Sequence, residues 1–180
     1  HIVIGLQEIL AREINAADTA ILTIGAFNSG QKENIIPDDA VILGTIRTKK
    51  QEVRDYIKKR LPEVAGAISS AFRCECTVEY PFGVAPLEND LTVMDELVGY
   101  SRELLGQDKV EELPGGMGSE DFALVSQRVP SAFLRLGAMP ADPAKVFPAH
   151  NPNVIFDEDA LPVGAAVYAQ CALRWLQEHC

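Results

Sequence analysis

The hydrophobic positions change period several times along the chain, and each change predicts an element. Val3, Leu6, Leu10 and Ile14 recur at three- and four-residue steps with Glu8, Arg12 and Glu13 between them, the pattern of an amphipathic helix. Asn15 to Asp18 interrupts it. Thr19 to Phe27 then alternates as a strand does, and Asn28-Ser29-Gly30 is a turn signal. A second strand is predicted from Ala40 to Thr48, after the turn Pro37-Asp38-Asp39. Alternation puts Val41, Leu43, Thr45 and Arg47 on one face and Ile42, Gly44 and Ile46 on the other. Val53, Ile57, Leu61, Val64, Ile68 and Phe72 mark a long helix from Gln51 to Phe72, with Pro62 inside it as a candidate kink. Arg73 to Tyr80 alternates again, with Cys74, Cys76, Val78 and Tyr80 expected to face inward. The order helix, strand, strand, helix, strand is that of a β-α-β-β-α-β ferredoxin-like sandwich without its first strand.

Pro81 to Pro86 is rich in Pro and Gly and is the candidate boundary, giving domains at 1–83 and 84–180. Past it, Asn89 or Asp90 is placed to cap a helix carrying Met94, Leu97, Val98, Ser101 and Leu105. A short strand is predicted near Val110 to Leu113, then the small-residue loop Pro114 to Ser119 and a helical segment from Glu120 to Gln127. Ala132 to Gly137 reads as a strand and Ala138 to Pro152 as a loop. The last helix begins around Asp157 to Asp159, with Leu161, Ala165, Tyr168, Ala172 and Trp175 on one stripe. The fold class expected is α/β in the mixed α+β sense.

Charge narrows the partners. With 16 basic and 26 acidic residues the formal charge is −10, which repels nucleic-acid phosphates and anionic membrane surfaces. No apolar run approaches the ~20 residues of a transmembrane helix. At 47% hydrophobic the chain is in the globular range. Cys74, Cys76, Cys171 and Cys180 do not have zinc-site spacing, and the expectation is buried free thiols in a reducing, cytoplasmic setting.

Three places carry possible chemistry. His150, the one histidine away from the ends, sits in Pro148-Ala149-His150-Asn151-Pro152. A proline-pinned loop holds an imidazole for metal ligation or proton transfer, and equally describes a surface histidine. Gly118-Ser119-Glu120-Asp121-Phe122 opens a helix from a glycine loop; free N–H groups there bind anions or oxyanions. Against this, Ser119 is an ordinary N-cap and two first-turn acids oppose an anion. Asn34 and Arg47 lie across the turn at Pro37, and an arginine at a strand end is either a carboxylate clamp or a surface charge. A catalytic zinc site takes three protein ligands and a base, of which one histidine is visible here. No catalytic residue is identifiable from these patterns.

Taken in order, these motifs resemble a known family. Asn34-Ile35-Ile36-Pro37-Asp38 with Gly44-Thr45-Ile46-Arg47-Thr48 is similar to the lid domain of zinc-dependent amidohydrolases. That group includes hippurate hydrolase, N-acyl-amino-acid amidohydrolase and auxin-conjugate hydrolase, kin to aminoacylase and carboxypeptidases. Met117 to Phe122 resembles its second signature, and His150-Asn151-Pro152 with Asp157 to Leu161 its C-terminal one, where His-Ser-Pro is commoner. The resemblance covers nearly the whole chain.

It implies a lid or dimerisation domain over residues 1–83, lacking its first strand, and the C-terminal part of a two-metal catalytic domain over 84–180. His150 then matches the last ligand of a pair of divalent ions (Zn, Mn, Co or Ni). Asn34 and Arg47 match residues that hold the substrate carboxylate, often across the dimer, and Gly118 and Ser119 line the substrate pocket. Glu120 and Asp121 match the signature without an assigned role. The upstream ligands and the glutamate base have no counterpart here, so the isolated segment is expected to be inactive. The implied partners are a small N-acyl amino acid and a second copy through the lid, with no nucleic acid and no membrane. A non-catalytic dimerisation module and a peptidase of the same broad group remain as alternatives.

Overall fold

A computed structural model describes residues 1–180. It is a mixed α+β chain with one two-stranded sheet and five α-helices. By contacts it divides into two compact units, residues 1–87 with 115–124, and residues 88–114 with 125–180.

The first unit opens with helix α1 (Ile2–Glu8), which widens into a π turn over Ile9–Glu13. Strands β1 (Ala20–Ser29) and β2 (Ala40–Thr48) form an antiparallel ribbon. Helix α2 (Gln51–Ala71) completes the unit. The core lies between the helices and the inner ribbon face. Leu6, Ile9, Leu22, Val53 and Ile57 are buried together, with Ile24, Ile46, Leu61 and Val64 packed around them. Each such side chain contributes about 1.5–3 kcal/mol by leaving water. The π turn brings Ile9, absent from the expected stripe, to complete burial. Gly5 lets α1 approach α2, since a Cβ there would run into the Ile68 side chain.

The ribbon's register shifts between Ile24 and Ala26, so Thr23 pairs with Thr45 but Ala26 with Leu43. The bulge at Gly25 moves Ala26 to the face of Val41, Leu43, Thr45 and Arg47. That face is the exposed one, with Val41, Leu43 and Arg47 all open to solvent.

Pro62 does not break α2, which runs unbroken from Gln51 to Ala71. Proline lacks the N–H that would bond the Lys58 carbonyl four residues back. The Tyr80 hydroxyl donates to that carbonyl instead, at 2.9 Å, and the Lys58 ammonium lies 4.9 Å from the Tyr80 ring centre. The helix ends in a Schellman motif. Cys74 N–H donates to Ser69 O and Arg73 N–H to Ser70 O, with Arg73 left-handed at φ 61°.

The strand expected over Arg73 to Tyr80 is not formed: after the turn these residues take no regular secondary structure and join no sheet. A strand is stable only as part of a ladder, so alternation alone does not make one. Cys74 and Cys76 are therefore exposed rather than inward, and Cys180 is exposed too; of the four free thiols only Cys171 is buried. The expectation of buried thiols holds for that residue alone.

In the second unit Asp90 caps helix α3 (Leu91–Leu105), its carboxylate accepting from Val93 N–H at 3.0 Å. Helix α3 packs on α5 (Ala160–His179). Tyr100, Ser101 and Cys171 are buried there. The expected stripe of α5 instead faces solvent, with Tyr168 83% and Leu161 67% exposed. Val110 to Leu113 and Ala132 to Gly137 are likewise not strands. The Asn89 side chain takes a strand's place beside Phe133, accepting its N–H at 2.8 Å and donating to its carbonyl at 3.5 Å. No helix is long and apolar enough to cross a membrane.

Candidate functional site

Arg47 sits next to the end of β2, paired with Ile21 on the exposed ribbon face. Its Nη1 donates to the Met117 carbonyl at 2.5 Å. Strand and loop, 70 residues apart in sequence, thus meet within the first unit. Arginine is always charged and carries five donors in a planar fork, so one bond to a carbonyl leaves most of its donor capacity unused.

The loop that Arg47 meets carries Gly118 and Ser119, both exposed. A Cβ at Gly118 would meet nothing within 4 Å, so neither packing nor a left-handed backbone calls for glycine there. The helix expected over Glu120 to Gln127 is only Ala123–Ser126, here α4, preceded by a turn. Ser119 is not its cap. The Glu120 carboxylate accepts from Phe122 N–H at 3.2 Å, and the Glu120 carbonyl accepts from Ala123 N–H. A carboxylate on the segment's own first turn competes for the free N–H groups that an anion would need.

Asn34 is not brought to Arg47. It lies in the loop joining β1 to β2, where Ile35 N–H donates to Lys32 O. Arg47 is seven residues along β2 from Ala40, where that loop ends. At ~3.3 Å per residue this is about 23 Å of ribbon. One copy of the chain therefore holds the two residues at opposite ends.

His150 belongs to the second unit and is exposed. Asn151 N–H donates to Pro148 O at 3.0 Å, closing a turn with His150 in its third place at φ 72°. That positive φ suits type II geometry and costs a residue with a Cβ roughly 1 kcal/mol or more. Asn151 fixes the next turn, its side chain accepting from Asn153 N–H at 2.9 Å and its carbonyl from Val154 N–H at 3.0 Å. His150 is thus an exposed residue on a constrained backbone.

A two-metal centre needs several converging donors. No three His, Cys, Asp or Glu side chains converge to hold an ion. His150 is not brought together with two further such side chains. A shallow hollow of about 510 Å³ in the second unit is lined by Glu88 to Leu91 and Ser126 to Pro130. It includes none of the motif residues.

Sequence reasoning missed the Arg47–Met117 bond, because nothing in either motif encodes a contact across 70 positions. It also missed the strained turn at His150, whose signal was the pair of prolines around Ala149-His150-Asn151.

The family model for peptidase family M20/M25/M40 matches residues 3–174. The chain is 35% identical over 184 residues to an Arabidopsis thaliana IAA-amino acid hydrolase ILR1-like 6, covering 98% of this chain and 39% of that protein. It is 33% identical over 182 residues to Bacillus subtilis N-acetyl-L-cysteine deacetylase, covering 99% of this chain and 41% of that one. The chain thus spans about two-fifths of the length of these relatives. A crystal structure from methicillin-resistant Staphylococcus aureus superposes with a TM-score of 0.88 at 26% identity, over 97% of this chain and 45% of that one. The Bacillus subtilis YXEP protein, a dinuclear metal binding peptidase from M20 family, gives 0.76 at 26% identity, over 98% and 44%. A match that runs through nearly all of both units, with the same fold in solved relatives, makes the chain a member of peptidase family M20/M25/M40.

Proposed function

We propose that the chain is the C-terminal segment of a metal-dependent amidohydrolase that cleaves the amide bond of N-acyl amino acids, hippurate-like substrates among them. The observation that carries this reading is Arg47, an exposed guanidinium bonded to Met117 beside Gly118 and Ser119. A fork of donors next to an open glycine suits the free carboxylate of the amino-acid half. The open space at Gly118 gives that substrate room to approach the backbone. The relatives named above act on amino-acid conjugates, as their names state.

On this reading residues 1–83 are the lid and dimerisation domain, of ferredoxin type, and residues 84–180 belong to the catalytic domain. The two ribbon strands each keep an unpaired edge, which favours strand pairing with another chain, here a second copy. Since the ribbon separates Asn34 from Arg47, Asn34 serves the site of the other copy. His150 is one ligand of the divalent ions, and its remaining co-ligands come from outside these 180 residues.

The test uses the full-length hydrolase carrying this segment. Arg47→Ala should lower kcat/KM for an N-acyl amino acid by about 10²-fold. Much smaller losses are expected for an amide lacking the carboxylate. Equal losses on both substrates would end the clamp reading. A peptidase reading differs only in the group acylating the amino acid, and a comparison of benzoyl and peptidyl substrates separates the two.

A further inference from the structure

Leu134 to Gly137 keep a strand's alternation without a strand's partners. Leu134 and Leu136 are apolar and exposed, with Arg135 between them. These four residues make no backbone hydrogen bond and join no sheet. The chain is tied down on both sides of them. Asn89 holds Phe133, and Asp157 N–H donates to the Ala138 carbonyl at 2.9 Å, three residues before α5 begins. The Leu136 side chain lies against α5 at Gly164, where an added Cβ would come within 2.8 Å of it. Gly164 is one helical turn from both Leu161 and Tyr168. Those two, with Ala165, Ala172 and Leu176, recur three or four apart and are all exposed. This face of α5 carries no charge, because Arg174, Glu178 and His179 turn to α3 and meet Glu103, Tyr100 and Glu96.

We propose that this surface seats a β-strand with an apolar face, supplied by the part of the hydrolase outside these 180 residues. The proposal rests on the reading of the chain as a segment of a longer enzyme. Two separate observations call for the same occupant. Backbone N–H and C=O groups that leave water need partners, and a neighbouring strand supplies them along the whole of 134–137. A contiguous charge-free helix face marks a docking surface, because its apolar side chains gain by leaving water. A strand paired at 134–137 turns alternate side chains to the side of Leu134 and Leu136, and so over α5. Ala165 and Ala172 leave room for those side chains between Leu161, Tyr168 and Leu176. There is chain enough to provide the strand, since about three-fifths of the plant hydrolase and of the deacetylase lies outside the matched span.

The test uses the full-length hydrolase, with hydrogen exchange and hydroxyl-radical oxidation both read by mass spectrometry. The amides of Leu134 to Gly137 should exchange at least ~10²-fold more slowly than free amides of the same sequence. Tyr168, 83% exposed in this structure, should lose most of the oxidation it shows when the same protein is unfolded in urea. Unprotected amides at 134–137, or a Tyr168 oxidised as readily as in urea, overturn the proposal. If that enzyme still hydrolyses N-benzoylglycine, the proposed function stands without it. Protection at both places in a protein that does not hydrolyse N-benzoylglycine supports the proposal and counts against the substrate reading instead. Protection that disappears on dilution to nanomolar concentration assigns the surface to a second copy, and overturns the proposal as well.

Discussion

In the first unit, α1, α2 and the inner ribbon face close over Leu6, Ile9, Leu22, Val53 and Ile57, all aliphatic. In the second, α3 and α5 close over Tyr100, Ser101 and Cys171, two of which carry a hydroxyl. Polar bonds do much of the joining there. The Tyr100 hydroxyl donates to Glu178 at 2.6 Å, Ser101 donates to Leu97 O, and Arg174 lies over the Tyr100 ring while binding Glu103 and Glu178. His179 stacks on Trp175 and lies 3.3 Å from Glu96. The first unit has a comparable polar cluster, Glu13 with Arg60 and Tyr56, but there it sits outside an apolar core. Burial of apolar area does not titrate, whereas a carboxylate network does. Arg60, and then Tyr56, hold the Glu13 carboxyl below its ordinary value too, so both units carry a titrating network and differ in whether it joins the helices or lies outside an apolar core.

The largest expected effect tests the apolar side of that contrast. Ile57 is fully buried, so Ile57→Ala should cost the first unit about 2–5 kcal/mol in urea denaturation followed by far-ultraviolet circular dichroism. A loss below about 1 kcal/mol would place the core elsewhere.

A smaller effect tests the polar side. The hydrogen bond from Tyr100, and then Arg174, hold the Glu178 carboxyl below its ordinary value of 4.5. The bond to Glu178, and then burial, push the Tyr100 hydroxyl from 10.0 up to about 12. A depressed carboxyl stabilises the fold above its unfolded pKa, and that contribution is lost as pH falls through the folded value. A raised phenol stabilises it below 10.0, and that contribution is lost as pH rises through about 12. The second unit should therefore be most stable between about pH 5 and 10 and weaken on both sides. Trp175 is the one tryptophan and lies in α5, so its fluorescence reports this unit. Tyr100→Phe should lower stability near neutrality and flatten the alkaline limb. An alkaline limb that survives the substitution would assign it to another group.

The smallest effect asks whether the first unit also depends on a single polar bond. Tyr80→Phe should cost about 1 kcal/mol, because the Lys58 carbonyl left free by Pro62 loses its donor. In a Pro62→Ala background the helix supplies its own N–H, and the same change should cost clearly less. Equal costs in the two backgrounds would show that Tyr80 acts through ring packing alone.

Legibility followed the range of the interactions. The ribbon, α2, α3 and α5 could be read from periodicity, and Asp90 as a cap, because those patterns are local. The three motifs could be placed in order for the same reason. Arg73 to Tyr80 and Ala132 to Gly137 alternate as strands do, yet neither joins a ladder, since pairing is decided by what lies alongside. Leu161, Tyr168 and Trp175 are apolar at helical spacing, yet α3 meets the side of α5 that carries Cys171, a choice of face that periodicity does not encode.

By itself, then, the sequence determined the family, the ribbon and the long helices, through spacing and ordered motifs that need no third dimension to be seen. Tertiary structure alone decided that Arg47 grips the Met117 carbonyl and that Asn34 lies at the far end of the same ribbon. It also decided that the Tyr80 hydroxyl replaces the bond lost to Pro62. Those are matters of distance between residues remote in sequence, set by how strand register and helix packing bring them together. A hydrogen bond forms only within about 3.5 Å, and no pattern along the chain carries that distance.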